Sequence, residues 1–207
     1  MIDLAVLAPF LLAVLLIELT PGPNMGWLAL VSMGQGRRAG FAAVAGVTLG
    51  LAAWMLAAAF GLTRLLTAWP PLFEVIRWSG VLFLLWLAWE AWRPSTGTAG
   101  SEPGTERLRV LFLRGMTGNL LNPKAAVFYV GLLPGFMRPE AGSPLAQALS
   151  LGGLHLLVAI AVHSAIVLGA ASAAPLVLGR VQGPTLRALM AGGIVVVALW
   201  MAWETRT

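Results

Sequence analysis

Two ionisable side chains stand inside apolar stretches of this sequence. Glu18 falls within the apolar run 4–30, and Lys124, the only lysine in the chain, falls within the run 111–133. A carboxylate held in hydrocarbon is costly, so its presence marks a binding or proton-carrying site by default. Glu18 could receive a ligand's ammonium group or hold a transported proton. The plainer alternative is a protonated, hydrogen-bonded acid or a structural partner of Lys124. Lys124 suits a ligand carboxylate or a pairing with Glu18, against the alternative of a lysine that snorkels to the membrane surface.

Each of these residues lies beside a helix break. Glu18 precedes Thr20-Pro21-Gly22-Pro23-Asn24, and Lys124 completes Asn122-Pro123-Lys124. A proline lacks the N–H that a helix needs, clashes with the preceding turn and pushes the residue before it out of helical geometry. Backbone groups freed this way in lipid must be satisfied by protein or by a water-filled cavity. A kink alone would need only the prolines. Asn24, Asn119, Asn122 and Thr20 add polar groups that either touch a ligand or cap half-helices. His155 and His163 lie eight residues apart, on adjacent parts of one helix face. A histidine could relay protons, and His163 is taken with Glu18 as a proton-coupling candidate; the plainer reading of both His155 and His163 is an interhelical histidine with a satisfied ring. No further clustered ligands accompany them, so no metal site is expected.

The elements that must hold these residues follow from composition. The chain has 207 residues, 59% of them hydrophobic and 10% charged, with a mean hydropathy of +0.87. Soluble domains carry roughly 25% charged residues, so lipid is the natural solvent for this surface. Apolar runs cover 4–30, 41–62, 75–92, 111–133, 145–178 and 186–203, which predicts six spans. The fifth run is too long for one straight crossing. Asp3 and the absence of an Ala-x-Ala site make the first run a span rather than a removable signal peptide. Of nine tryptophans, Trp69, Trp78, Trp89, Trp92, Trp200 and Trp203 gather near span ends, as an aromatic belt does. Gly46, Gly50, Gly192 and Gly193 would allow close helix packing.

Residues 1–207 read as one transport domain: a first repeat over 1–93, a polar linker over 94–106 and a second repeat over 107–207. Three spans on each side of the linker give the halves opposite orientations, and a broken first helix in each is the signature of an inverted-repeat transporter. Eight arginines (Arg37, Arg38, Arg93, Arg107, Arg109, Arg114, Arg180, Arg187) fall in or beside loops one, three and five, against four (Arg64, Arg77, Arg138, Arg206) on the other side. This bias places those loops in the cytoplasm and both termini outside. The net charge of +5 is therefore a topology signal, because the arginines form no nucleic-acid-binding stripe.

At these residues the sequence resembles the LysE/RhtB family of lysine and homoserine/threonine exporters. The likeness runs through Thr20-Pro21-Gly22-Pro23-Asn24, Gly34-Gln35-Gly36-Arg37-Arg38-Ala39-Gly40, Gly46 and Gly50. It resumes at Arg114-Gly115, Asn119-Leu120-Leu121-Asn122-Pro123-Lys124-Ala125-Ala126 and Leu133-Pro134-Gly135-Phe136. Phe83-Leu84 and Ala88 stand where the family usually carries Tyr-Leu followed by glycine, and Gly135 replaces its usual glutamine; these departures bear on substrate more than on fold. The resemblance implies export of amino acids or their derivatives, driven by the proton gradient.

The expectation is an all-α, polytopic bundle of six transmembrane helices in a bacterial-type inner membrane. It acts as a secondary exporter by proton antiport, with no cofactor. A channel or a membrane assembly factor is the alternative. The substrate site is expected at Glu18, Thr20, Pro21, Gly22, Pro23, Asn24, Asn119, Asn122, Pro123 and Lys124. Expected partners are a small amino-acid substrate, protons and lipid, with self-association into a homodimer left open. The chain has no cysteine, no His-Glu-x-x-His, no Gly-x-Ser-x-Gly and no phosphate-binding Gly-rich loop, which argues against an enzyme or an ATPase.

Overall fold

The computed structural model describes residues 4–61, 68–69, 71–93, 104–138, 140, 142–178 and 183–204. In hydrocarbon a backbone N–H has no water to turn to, so an apolar chain closes its hydrogen bonds within each segment as helix. The described residues form α1 (Leu4–Leu19), α2 (Pro23–Ala59), α3 (Pro71–Trp92), α4 (Thr105–Leu120), α5 (Pro123–Val127), α6 (Pro144–Leu178) and α7 (Gly183–Glu204). A π-helical turn (Phe128–Leu132) and a 3₁₀ turn (Leu133–Phe136) continue α5. Three helical stretches, Pro23–Ala59, Pro71–Trp92 and Pro144–Leu176, are long and apolar enough to cross a membrane, and the apolar stretches Val6–Leu19 and Arg187–Trp203 are shorter.

Both expected breaks are present. α1 stops at Leu19, Gly22 is extended at φ −150° and ψ 165°, and α2 starts on Pro23, where a missing N–H costs nothing. α4 stops at Leu120, and Pro123 opens α5. Loop one, which the gap between the apolar runs 4–30 and 41–62 places around Arg37 and Arg38, is instead a single corner inside α2. Gly36 there has φ +81° and ψ 177°, a left-handed value that a side chain disfavours. The expected linker over 94–106 is shorter at its end, because Thr105 and Glu106 already belong to α4; residues 94–103 lie outside the described residues, as do Arg64, Arg180, Arg206 and Thr207. The fifth run is one unbroken 35-residue helix with Pro175 inside it. At 1.5 Å per residue that is about 52 Å, well beyond the ~30 Å hydrocarbon core.

α2 packs on α4 and α6, α3 packs on α7, and α1 leans on α6. The α2–α4 crossing is backbone against backbone. A Cβ on Gly46 would stand 1.9 Å from the Phe112 carbonyl oxygen, and one on Gly115 would stand 2.4 Å from that of Ala43. Gly50 meets Met116 and Asn119 in the same way, and Gly193 is closely packed on Leu30. Gly192, expected to serve the same purpose, has no neighbour within 4 Å among the described residues.

The outer surface is apolar, with Leu176 90% and Phe60 79% exposed, which suits lipid rather than water. Trp69, Trp78, Trp89, Trp92 and Trp203 are exposed as a belt requires, but Trp200 is half-buried and turns toward a cavity. Arg77, counted above as a loop charge, is buried in α3, where it binds Glu74 and donates to the Ala202 carbonyl, each at 2.8 Å.

Candidate functional site

Glu18 sits in the last turn of α1, buried, and its carboxylate faces α6. The two histidines of α6 reach its two oxygens separately: His155 Nε2 lies 2.9 Å from Oε1 and His163 Nε2 3.5 Å from Oε2. Eight residues make a little over two helical turns, which is why both rings reach one carboxylate. His155 Nδ1 lies 3.0 Å from the Tyr129 hydroxyl, contributed by the π-helical turn after α5. With the His155 proton on Nε2, Nε2–H donates to Glu18 and the Tyr129 O–H donates to Nδ1. Tyr129, His155 and Glu18 thus form a buried hydrogen-bonded chain that joins three helical segments. Phe128 closes it on one side, its ring centroid 3.9 Å from that of His155. His163 Nδ1 is buried with no hydrogen-bond partner among the described residues.

Lys124 comes from the other break. Asn122 caps α5 by accepting the Lys124 backbone N–H at 3.0 Å, and this fixes where the lysine stem starts. The side chain then crosses to the first break, where Nζ donates to the Thr20 carbonyl at 2.7 Å. That carbonyl is free because Pro21 and Pro23 have ended the helix after it. The stem runs past Gly22, where a Cβ would stand in ordinary contact, 3.4 Å from Nζ. Glu18, Asn24, Asn122, Lys124, His155 and His163 surround one small cavity of about 30 Å³. Opposite charges therefore face the same space, an arrangement in which each offsets the other's burial.

A second cavity, of about 190 Å³, adjoins the first. Ile17, Asn122 and Lys124 line both, and Thr20, Pro21, Pro23, Pro123, Trp200 and Met201 complete the larger one. Pro23 and Pro123 thus face one cavity. An extended segment at each break and one lysine bridging them thus bring a cation and a carboxylate to the same cavity.

A profile of the family described as LysE type translocator matches residues 15–205 of the chain. The chain belongs to this LysE family. It is 33% identical over 141 residues to a leucine efflux protein of Klebsiella pneumoniae, a match that covers 65% of either chain. It is 31% identical over 176 residues to a homoserine/homoserine lactone efflux protein of Salmonella typhimurium, covering 84% of this chain and 83% of that one. A leucine efflux protein of Enterobacter sp. is 34% identical over 131 residues, covering 60% of either chain. The chain thus spans slightly under two thirds of the leucine efflux proteins it matches. No solved structure matches it.

Of the site residues expected in this LysE-type chain, Glu18, Thr20, Pro21, Gly22, Pro23, Asn24, Asn122, Pro123 and Lys124 all line one or both cavities. Asn119 does not. It is fully buried at the α2–α4 crossing, its carbonyl accepts from Trp54 Nε1 at 3.3 Å, and its side-chain amide has no partner among the described residues. The Thr20 hydroxyl turns back to the Leu16 carbonyl at 2.7 Å, so only the Thr20 backbone faces Lys124. Sequence reasoning missed two participants. His155 is satisfied, as expected, but by Glu18 itself. Tyr129 gave one usable sign, being the only tyrosine in the chain.

Proposed function

We propose that this LysE-type chain exports amino acids across the inner membrane in exchange for protons, with the substrate held between Glu18 and Lys124. The observation that carries the reading is Lys124 of the second break bonded to the Thr20 carbonyl of the first, with the Glu18 carboxylate across the same cavity. An amino acid carries one ammonium and one carboxylate, and the site offers one complement to each. The relatives' names, leucine efflux and homoserine/homoserine lactone efflux, point to the same class of cargo.

In this reading the substrate ammonium takes Glu18, and its carboxylate takes Lys124. The start of α2 assists. Gly22 makes no side-chain cap there, and Asn24 at the helix N-terminus lines the cavity, where unpaired N–H groups favour an anion. The start of α5 contributes less, because Asn122 already occupies its first free N–H. When substrate leaves, a proton replaces the ammonium on Glu18. His155, His163, Lys124 and, through His155, Tyr129 are the ionisable groups around that carboxylate. Residues 1–93 and 107–207 act as inverted repeats of three spans each, so that rocking of one against the other opens the site to either side.

Reconstituted protein tests this. Vesicles loaded with unlabelled amino acid should take up labelled amino acid in counterflow, and an imposed pH gradient should drive net movement. Glu18→Gln keeps the volume and one acceptor for His155 but cannot exchange a proton. It should abolish the response to the gradient while the protein remains monodisperse. Wild-type vesicles that conduct ions without exchanging any amino acid would favour the channel reading instead.

A further inference from the structure

We infer that the larger cavity is the side-chain subsite of the exporter, so that this chain selects amino acids with aliphatic or aromatic side chains over those with polar or charged ones. The inference rests on the export reading above and adds the substrate class to it.

Three observations carry it. The first is adjacency. Ile17, Asn122 and Lys124 line both cavities, so a zwitterion clamped between Glu18 and Lys124 has the larger space directly beside its Cα. The second is the state of the polar groups on the larger cavity's wall. The Thr20 hydroxyl is bonded to the Leu16 carbonyl, the Thr20 carbonyl receives Lys124, and the Asn122 side-chain oxygen caps α5. The other lining residues are Ile17, Pro21, Pro23, Pro123, Trp200 and Met201, which leaves the Trp200 indole N–H and the Asn122 amide N–H groups as donors on a wall that is otherwise apolar or already paired, apart from the Lys124 ammonium that it shares with the smaller cavity. A hydroxyl or amide placed there would leave water and find few free partners, and burying a polar group unpaired is unfavourable. The third is size. The cavity holds about 190 Å³, and an apolar cavity of roughly 150 Å³ is enough to take up benzene. Leucine, methionine and phenylalanine side chains all fit that volume.

Trp200 is the residue that makes this wall specific. Its position near the end of α7 suits an aromatic belt, yet it is half-buried and faces the cavity while its neighbours Leu199 and Trp203 are exposed. Trp200 lines only the larger cavity and carries no charge that the zwitterion needs, whereas Ile17 borders both cavities.

Counterflow in vesicles containing the full chain tests the assignment, using labelled leucine, phenylalanine, alanine, homoserine and lysine at equal concentration. Wild type should exchange leucine about ten-fold faster than alanine or homoserine, the discrimination that a few methylenes or a misplaced hydroxyl provide. Trp200→Ala enlarges the space and should raise the phenylalanine-to-leucine ratio several-fold. Ile17→Thr should lower the leucine-to-homoserine ratio. Ratios within one preparation are independent of how much protein folds, and the wild-type panel decides the class without either variant. Exchange of homoserine or lysine as fast as leucine, with ratios that Trp200→Ala does not move, would overturn the side-chain subsite and leave amino-acid export standing. Absence of exchange for every amino acid in wild-type vesicles would overturn both.

Discussion

The two helix breaks answer one problem in different ways. Both leave backbone groups without their helical partners. The first, at Thr20-Pro21-Gly22-Pro23, leaves its groups open: no side chain caps α2, and the Thr20 carbonyl waits for a partner from elsewhere. The second, at Leu121-Asn122-Pro123, closes on itself, with the Asn122 side chain on the Lys124 N–H and the Asn122 carbonyl accepting the N–H groups of Ala125 and Ala126. The helix beyond it then widens into a π turn, which carries Phe128 and Tyr129 against His155, and tightens into a 3₁₀ turn after it. One break therefore acts as a socket, and the other as a rigid base that delivers a cation into it. Their supports differ as well. The second break abuts α3 through backbone, since a Cβ on Gly80 would stand 2.3 Å from the Leu121 carbonyl oxygen. The first is followed by Gly26, whose Cβ would meet a Val197 methyl at 2.5 Å.

Removing the cation should break this division of labour most severely. Lys124→Ala leaves the Thr20 carbonyl without its partner and, in the proposed reading, removes the cation that receives the substrate carboxylate. A loss of about 2 kcal/mol in binding, or roughly 30-fold in half-saturating substrate concentration, is expected in counterflow. Unchanged half-saturation would show that the lysine is only structural.

The contrast in supports predicts the next effect. Gly80→Ala drives a methyl group into a backbone carbonyl that has nowhere to move, whereas Gly26→Ala meets a side chain. Overpacking of this kind costs about 1–3 kcal/mol. Gly80→Ala should therefore lower the melting temperature in detergent by several degrees more than Gly26→Ala does. Equal shifts would remove the distinction between a rigid and a yielding break.

The smallest effect sharpens the difference between capped and open. Asn122→Ala removes the cap of α5 and should cost about 1 kcal/mol. Thr20→Val removes a hydroxyl that only returns to its own helix and should change stability by less than about 0.5 kcal/mol. Thermal melts of the two variants side by side measure this directly, and a larger loss at Thr20 would mean that its side chain, rather than its carbonyl, serves the site.

Much of this arrangement is legible without a structure. Helix follows from an apolar chain that must satisfy its own backbone. The places where helix fails follow from Pro21, Pro23 and Pro123, because a missing N–H and a fixed φ act within a few bonds whatever surrounds them. The cost of an acid in hydrocarbon singles out Glu18, and a lone lysine beside a proline singles out Lys124. Local chemistry also misleads where one residue replaces several: Gly36 turns the chain at a single corner inside α2, where the polar stretch over 34–38 suggests a loop.

Tertiary structure decided which groups meet. Glu18 and His155 are 137 positions apart, and Lys124 and Thr20 are 104 apart. Their meeting depends on how far α6 and α5 are rotated and slid against α1, and close-packed glycines such as Gly46 and Gly115 set such relations in ångströms that a pattern of apolar residues does not encode. The packing of α7 and α4 likewise turns Trp200 toward the cavity and Asn119 into the α2–α4 crossing. Proline and charge act through bonds and solvent and are written in the residue itself, while partnership across helices is a property of packing.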